Sequence, residues 1–256
     1  MKRILVPVSF SDASANSLRH AKSIFDDAQL TLLHTYANKT YSRKFHFEGM
    51  SYREGIRKEL WSFYQKQVEN PGDNTKIIAM PGAVSQEVKK ISASFDLMVM
   101  SRKRHPTKSK GQFSDKKLFI TTMARCPVLI MPSTDTLFHF EQCEHIWHIK
   151  RRKTEKRIVE NGIKKLNIDA AKMEVKTLEQ KNFLSAFWQN LVAYEQSHDV
   201  SLIKKIDEAH DKEPIDLIVL VDNEKSVFTD FFHSDIIHLF HKYDIPILVF
   251  PPAFLY

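Results

Sequence analysis

The sequence predicts an α/β protein made of two tandem, doubly wound parallel-sheet domains. Short apolar segments alternate along the chain with segments whose apolar residues recur at helical spacing. Most of the apolar segments are continuous rather than alternating, which is typical of strands covered on both faces. Two segments of the first half recur about 120 residues later. Strands separated by helices in this way form parallel sheets with helices on both faces.

The first half contains five predicted strands. Ile4–Val8 is a continuous apolar run, and Ser11 and Asp12 after it are expected to cap a helix. A polar, basic and aromatic segment over 38–55 has no clear period, and a helix is expected over 56–68. The other strands are predicted at Leu30–Tyr36, Lys76–Met80, Asp96–Met100 and Pro127–Met131, with helices over 84–95 and 117–124.

The same alternation restarts in the second half of the chain. Strands are predicted at His145–Ile149, Met173–Leu178, Asp216–Val221 and Ile245–Phe250, and helices over 154–166, 200–209 and 235–242. The segment 183–199 allows two interpretations. It forms either a short helix over 183–188 followed by a strand over 191–195, or one longer helix.

Two matching pairs of segments indicate an internal duplication. Asp96–Met100 matches Asp216–Leu220 at an offset of 120 residues, and Cys126–Pro132 matches Ile245–Pro251 at an offset of 119. Turn residues interrupt the pattern near 133–142. We therefore expect one domain over residues 1–135 and a second over 143–256.

The glycine count limits which ligand sites the chain can form. It has 256 residues with 43% hydrophobic and 27% charged, as in a soluble globular protein, but only six glycines. No two glycines are three or fewer positions apart. Loops that bind phosphate through the backbone need closely spaced glycines, so the standard nucleotide-binding loops are excluded.

The sequence favours a cytoplasmic location. Cys126 and Cys143 are too few for a disulfide framework. The basic and then apolar amino end continues into Asp12 without a cleavage signature, which favours a buried first strand over a signal peptide. The most apolar stretch, 245–255, contains three prolines and is shorter than the roughly 18 residues of a membrane span.

Several segments together resemble one known family. Ile4–Ser14 is similar to the opening of universal stress proteins. Asp96–Met100 and Ala124–Ile130 resemble the fourth and last strands of that family. Phe231–Ser234 with Ile245–Val249 resembles the second copy of its tandem form. The resemblance implies the adenine nucleotide α-hydrolase-like fold, with two domains packed through their last strands as an intramolecular pseudo-dimer.

Nucleotide-binding members of this family carry an aspartate in the first strand and a Gly-x-x-Gly-x9-Gly-Ser/Thr stretch after the fourth. The resemblance places Ser9 at the aspartate position. It places Ser101, Arg104, Ser114 and Asp115 at the four loop positions, so each glycine is replaced and the hydroxyl position holds a carboxylate.

The corresponding positions of the second half are altered as well. Leu220, Asn223 and His233 occupy the glycine positions, Ser234 retains the hydroxyl, and residues 149–150 supply no aspartate. Side chains at glycine positions keep backbone N–H groups away from phosphate oxygens. An aspartate would also repel a triphosphate. We therefore expect both nucleotide sites to be degenerate and the protein to have no cofactor, with weak binding of ATP or another adenine nucleotide as the alternative.

A basic run at 102–110 occupies the expected phosphate loop. It could act as an anion receptor, but we favour a solvated surface loop. Residues 1–135 hold 22 Lys+Arg and 12 Asp+Glu, a net charge of +10, and the remainder holds 16 and 19, a net charge of −3. No motif of a nucleic-acid-binding module accompanies this asymmetry, so a nucleic-acid partner is disfavoured.

Two further groups of residues are candidates for reactive sites. His139, Cys143, His145 and His148 are metal-ligand types, but their spacing matches no common zinc site, so a structural or surface role is favoured. Serine, histidine and carboxylates occur without a nucleophile elbow or other catalytic arrangement. The expected function is that of a regulatory or interaction protein like the universal stress proteins, without enzymatic activity. We expect a protein partner and no membrane association, and leave open a homo-oligomer.

Overall fold

A computed structural model describes residues 1–37, 50–69, 71, 74–102, 115–134, 136–150, 155–169, 172–177, 215–221 and 245–251. In chain order the first half contains β1 (Arg3–Pro7), α1 (Asp12–Ile24), β2 (Gln29–Tyr36), α2 (Tyr52–Gln67), β3 (Lys76–Pro81), α3 (Val84–Ile91), β4 (Leu97–Ser101), α4 (Asp115–Met123) and β5 (Val128–Met131). The second half contains β6 (Ile146–Lys150), α5 (Glu155–Lys165), β7 (Met173–Thr177), β8 (Leu217–Val221) and β9 (Ile247–Phe250). Short 3-10 helices lie at Ser92–Ser94 and Phe140–Gln142.

The nine described strands form one continuous sheet in the order β3-β2-β1-β4-β5-β9-β8-β6-β7. All neighbouring strands are parallel except β5 and β9, which are antiparallel. The α/β class and the parallel-dominated sheet predicted from the sequence are therefore confirmed. None of the described helices is long and apolar enough to span a membrane.

The two halves join through the last strand of each. Val128 lies opposite Val249, and Ile130 lies opposite Ile247, in antiparallel register. The pairing of these two strands, which the family resemblance implied, is confirmed. On either side the strand order is the same, because β2-β1-β4-β5 in the first half corresponds to β7-β6-β8-β9 in the second.

A reciprocal hydrogen-bond pair recurs at equivalent places in the two halves. Before β4, the Asp96 carboxylate accepts from the Arg3 N–H at 2.8 Å, and the Asp96 N–H donates to the Arg3 carbonyl at 2.9 Å. Before β8, Asp216 accepts from the His145 N–H at 2.9 Å and donates to the His145 carbonyl at 3.0 Å. An aspartate at the start of the inner strand thus anchors the start of its neighbour in both halves.

The core consists of two layers, one on each face of the sheet. One buried cluster includes Ile4, Leu129, Leu248 and Ile163, and the other includes Leu5, Ile130 and Ile247. Alternate residues of each strand enter opposite layers, as the pleat requires. Both layers continue across the β5–β9 junction.

Helix α2 begins four residues earlier than the period predicted. Ser51 caps it by accepting from the Glu54 N–H, while the Glu54 side chain returns to the Ser51 N–H. This reciprocal capping box satisfies two helix donors that otherwise lack partners. Other strands and helices agree with the predictions to within two residues, except that the helix predicted over 84–95 is α3 followed by the 3-10 turn Ser92–Ser94. The predicted elements over 183–199, 200–209 and 235–242 lie outside the described residues.

The segment between the halves packs on α1 through two histidines. His20 is fully buried, and its Nδ1 accepts from the Phe138 N–H at 3.3 Å. The His139 ring is hydrogen-bonded to the Ser23 hydroxyl at 3.0 Å. Burial, reinforced by the Arg19 charge, lowers the pKa of His20 from 6.5 to about 4. His20 is therefore neutral at physiological pH.

We expect the stability of the protein to fall as the pH is lowered from about 6.5 to about 4. In this window the unfolded chain binds a proton at His20 that the folded chain does not. The shift corresponds to about 3 kcal/mol in the free energy of unfolding once the pH is below both pKa values. Urea denaturation at several pH values measures the slope, and His20→Gln should flatten it. An unchanged slope in that variant would show that His20 is not the responsible group.

Candidate functional site

The candidate site is a crevice at the carboxyl ends of β1 and β4. These strands are neighbours in the sheet, but their connections run to opposite sides, because β1 leads to β2 and β4 leads to β5. Doubly wound proteins bind ligands at such a switch point. The cavity there measures about 150 Å³. Small-molecule sites usually enclose about 300–1,000 Å³, so the described residues leave room for only a small group.

Hydroxyl groups dominate the β1–α1 turn on one side of this cavity. The Ser9 hydroxyl lies 3.1 Å from the hydroxyls of both Ser11 and Ser14, which are themselves 3.3 Å apart. The Ser9 N–H donates to the Ser14 hydroxyl at 2.9 Å. Ser11 is also the N-cap of α1. The three side chains therefore bond mainly to one another and hold the turn in shape.

Phe10 adopts a strained conformation between these serines. Its φ of 52° lies in the left-handed region, which residues other than glycine seldom adopt. The ring packs 4.8 Å from the His34 ring and 5.5 Å from the Phe63 ring, measured between centroids. These contacts hold the turn against the ends of β2 and α2 and offset the backbone strain.

On the opposite side, Ser101 ends β4 as a buried side chain. It is 1% exposed and accepts a hydrogen bond from the Asn16 amide at 3.2 Å. The same amide donates to the Pro132 carbonyl at 2.8 Å. Asn16 thus connects α1 to the ends of β4 and β5. A glycine at position 101 would leave open the space that this hydroxyl fills.

His34 is the only ionisable side chain among the described residues that line the cavity. Its Nδ1 donates to the Val8 carbonyl at 2.8 Å, which leaves Nε2 without a proton. Burial lowers the pKa of His34, and the bond to the Val8 carbonyl opposes part of that shift. The ring is therefore neutral near pH 7. Among the described residues that line the cavity, none has a charged side chain that could pair with a polyphosphate.

The structure brings together two of the six residues predicted for the nucleotide site. Ser9 and Ser101 line the same cavity. Asp115 is the first residue of α4. Arg104, Ser114 and Ser234 lie outside the described residues.

The sheet register corrects two equivalences drawn for the second half. Ile4 pairs with Leu97 in the first half, and Ile146 pairs with Leu217 in the second. Counting on from these pairs, Ser101 corresponds to Val221 rather than Leu220. Ser9 likewise corresponds to residue 151, outside the described residues, rather than to 149–150. The equivalences given above follow the offset of 119 residues between the last strands, which is one residue shorter than the offset of 120 between Asp96–Met100 and Asp216–Leu220.

Sequence reasoning missed Asn16, His34 and the conformation of Phe10. The available signal for Asn16 was its position, because it is a polar residue in the first turns of α1 on the side that faces the sheet. His34 stands within an apolar strand pattern, and only the fold shows that its ring turns back to Val8.

The histidine–cysteine cluster that is a candidate metal site in the sequence does not form a metal site in the structure. His148 is buried within β6, while His139 bonds to Ser23. Cys143 is buried, and burial raises the pKa of its thiol to about 12. Within the described part of the chain, no group of three metal-ligand side chains is close enough to hold an ion.

The architecture places this chain among the doubly wound α/β proteins, with a cavity at the strand switch point. A model of the universal stress protein family matches residues 1–132, and the chain belongs to that family. No curated protein sequence gives a significant match.

Three solved structures resemble nearly the whole chain. A universal stress protein from Archaeoglobus fulgidus has a TM-score of 0.60 at 13% identity, covering 98% of this chain and 96% of that one. A protein of unknown function from Pseudomonas aeruginosa has a TM-score of 0.58 at 13% identity, with 99% and 93% covered. A putative universal stress protein from the same species has a TM-score of 0.55 at 14% identity, with 99% and 94% covered. At these identities the likeness establishes the fold alone.

Proposed function

We propose that this chain is a tandem universal stress protein that regulates through contact with a protein partner in the cytoplasm, without tight ATP binding and without enzymatic activity. The observation that carries this proposal is the filled crevice. Ser101 lines the cavity where a glycine would admit phosphate, its hydroxyl is bonded to the buried Asn16 amide, and about 150 Å³ remains. The nucleotide motif is accordingly degenerate.

The tandem organisation is proposed as two domains, over residues 1–135 and 143–256. It is supported by the recurring strand order, by the repeated pair of bonds at Asp96 and Asp216, and by the antiparallel junction of β5 with β9. A chain that already pairs internally through its last strands has no need of a second copy for this contact.

The chemistry of the described crevice supports a binding role over catalysis. The Ser9 hydroxyl bonds to two other hydroxyls rather than to a base, and His34 is oriented by a backbone carbonyl rather than a carboxylate. The thiols of Cys126 and Cys143 are buried, and burial raises the pKa of each to about 12, so neither supplies a thiolate nucleophile.

The second candidate is a nucleotide or anion sensor that uses the basic loop after β4. Arg102 follows Ser101 directly, and its N–H donates to the Met131 carbonyl at 3.1 Å, so the loop begins at the rim of the crevice. Arg104 and Lys108 continue the basic run beyond the described residues. Basic side chains there could receive an anion without glycine.

Calorimetric titration with ATP separates the two candidates. We expect no measurable heat of binding for the wild-type protein at ATP concentrations up to the millimolar range. Micromolar binding that is lost in Arg104→Ala and retained in the matched variant Lys89→Ala would favour the sensor instead. Lys89 is an exposed lysine of α3 outside the basic run. Release of ADP during the titration would overturn the non-enzymatic assignment.

A further inference from the structure

The outer edge of β3 borders an open groove. β3 is at the end of the sheet and, among the described strands, pairs only with β2. The groove has a volume of about 860 Å³ and runs between β3 and α2. The four consecutive residues 75–78 line it. Three of these residues, 76–78, belong to β3. Because side chains alternate between the two faces of a strand, a groove that meets three in succession follows the lateral edge of the strand. The β3 backbone is therefore accessible from the groove.

The hydrogen-bond alternation identifies which backbone groups face outward. Gly82 N–H donates to the Tyr36 carbonyl at 2.9 Å, so even-numbered residues of β3 direct their backbone groups toward β2. Ile77 and Ala79 then direct theirs outward. Pro81 is the next outward position, where a missing N–H breaks no bond within the sheet. The free edge thus offers a short row of donors and acceptors that ends at Pro81.

The lining of the groove is positively charged. Arg57, Lys58 and Lys76 are exposed and line it, against the single carboxylate of Glu54. That carboxylate is bound by the Ser51 hydroxyl at 2.7 Å and the Ser51 N–H at 3.1 Å. Three cations against one carboxylate leave the described lining with a net positive charge that attracts a negative ligand.

We propose that the β3 edge binds an extended, acidic segment of a partner protein by adding it as a further strand. This inference names a partner class for the interaction role proposed above and rests on that role. The outward N–H and C=O groups recur at the spacing of a β-strand and can pair with a peptide backbone. A nucleic acid has no backbone of this kind. Arg57, Lys58 and Lys76 select acidic side chains, while the partly exposed Trp61 and Ile77 contact apolar ones.

The charge of the chain argues against a second copy as the occupant. Residues 1–135 carry 22 Lys+Arg and 12 Asp+Glu, a net charge of +10. Two β3 edges brought together would place six lining cations side by side, and like charges oppose such edge-to-edge pairing. An acidic partner gains from the same field.

The test uses the full-length protein and a fluorescein-labelled peptide of alternating glutamate and valine, followed by fluorescence anisotropy. We expect saturable binding that weakens with salt. Ile77→Pro removes an outward N–H without touching the β2 pairing and should weaken binding at least about tenfold. The double variant Lys58→Glu and Lys76→Glu should weaken it at least as much. The matched control Lys89→Glu, on α3, should bind like the wild type.

Three results would overturn the inference. They are equal affinity for a peptide of alternating lysine and valine, tighter binding of an oligothymidylate than of the acidic peptide, or self-association that Ile77→Pro abolishes. Far-UV circular dichroism and thermal melting establish whether each variant is folded. If Ile77→Pro does not fold, the double variant Lys58→Glu and Lys76→Glu provides the test. If the peptide does not bind, the proposal that the crevice lacks tight ATP binding is unaffected. ATP binding in the crevice would contradict the proposed function without altering the affinity for the peptide.

Discussion

Gly162→Ala is expected to lower the free energy of unfolding by about 2–3 kcal/mol, the cost of overpacking a filled core. A Cβ at position 162 in α5 would lie 2.0 Å from Cε1 and 2.5 Å from Cζ of the Phe250 ring. Phe250 is fully buried in β9, so the new methyl group would overpack the core. In an unobstructed helix the same change stabilises by about 1 kcal/mol, so the sign of the effect is diagnostic.

Urea denaturation followed by circular dichroism measures this change. Asn161→Ala, at the exposed neighbouring position of α5, is the matched control and should be neutral or slightly stabilising. Phe250→Leu in the Gly162→Ala background should recover part of the loss, because the smaller side chain gives way to the new methyl group. A stabilising Gly162→Ala would contradict the close packing of α5 on β9.

Leu248→Ala is expected to cost about 2–5 kcal/mol, because it opens a cavity at the junction of the two halves. Leu248 is fully buried and lies directly opposite Leu129 in the antiparallel pair. Leu129→Ala should cost a similar amount. As the two side chains are neighbours in the same core layer, the double variant should depart from additivity by about 0.5–3 kcal/mol.

A second double-mutant cycle provides the control. Leu33 is equally buried, but it lies in β2, four strands from β9, and in the opposite core layer. Leu33→Ala combined with Leu248→Ala should be additive within about 0.5 kcal/mol. Additivity of Leu129→Ala with Leu248→Ala would instead indicate that β5 and β9 are not in contact in solution.

Most of the strands were predictable because they are continuous apolar runs, which must be covered on both faces. Val128–Met131 and Ile247–Phe250 were recognised from the sequence, and their pairing came from the family resemblance. The start of α2 was missed because the capping box of Ser51 and Glu54 precedes the first apolar position. Periodicity detects the buried stripe of a helix, whereas a cap is polar and exposed.

The site was predictable only in part, because its shape depends on contacts between distant segments. The replacement of aspartate by Ser9 and of glycine by Ser101 can be read from the sequence once the family is recognised. The bond from Asn16 to Ser101 spans 85 positions, and the bond to Pro132 spans 116. Neither leaves a local pattern. The one-residue error at Val221 arose because the two halves differ in length between their last two strands.

The scarcity of glycine in the sequence has a structural counterpart at this crevice. Ser101 occupies a position that a phosphate-binding loop reserves for glycine, and its hydroxyl is engaged by Asn16 rather than left open to a ligand. We therefore propose that this member of the universal stress protein family keeps the fold and the switch-point crevice but has exchanged nucleotide binding for internal hydrogen bonds.

The most direct test of that claim is to denature protein purified without added ligand and to identify any released nucleotide by chromatography and mass spectrometry. The account predicts that no adenine nucleotide is released at a level approaching one per chain. Stoichiometric release of ATP would contradict it.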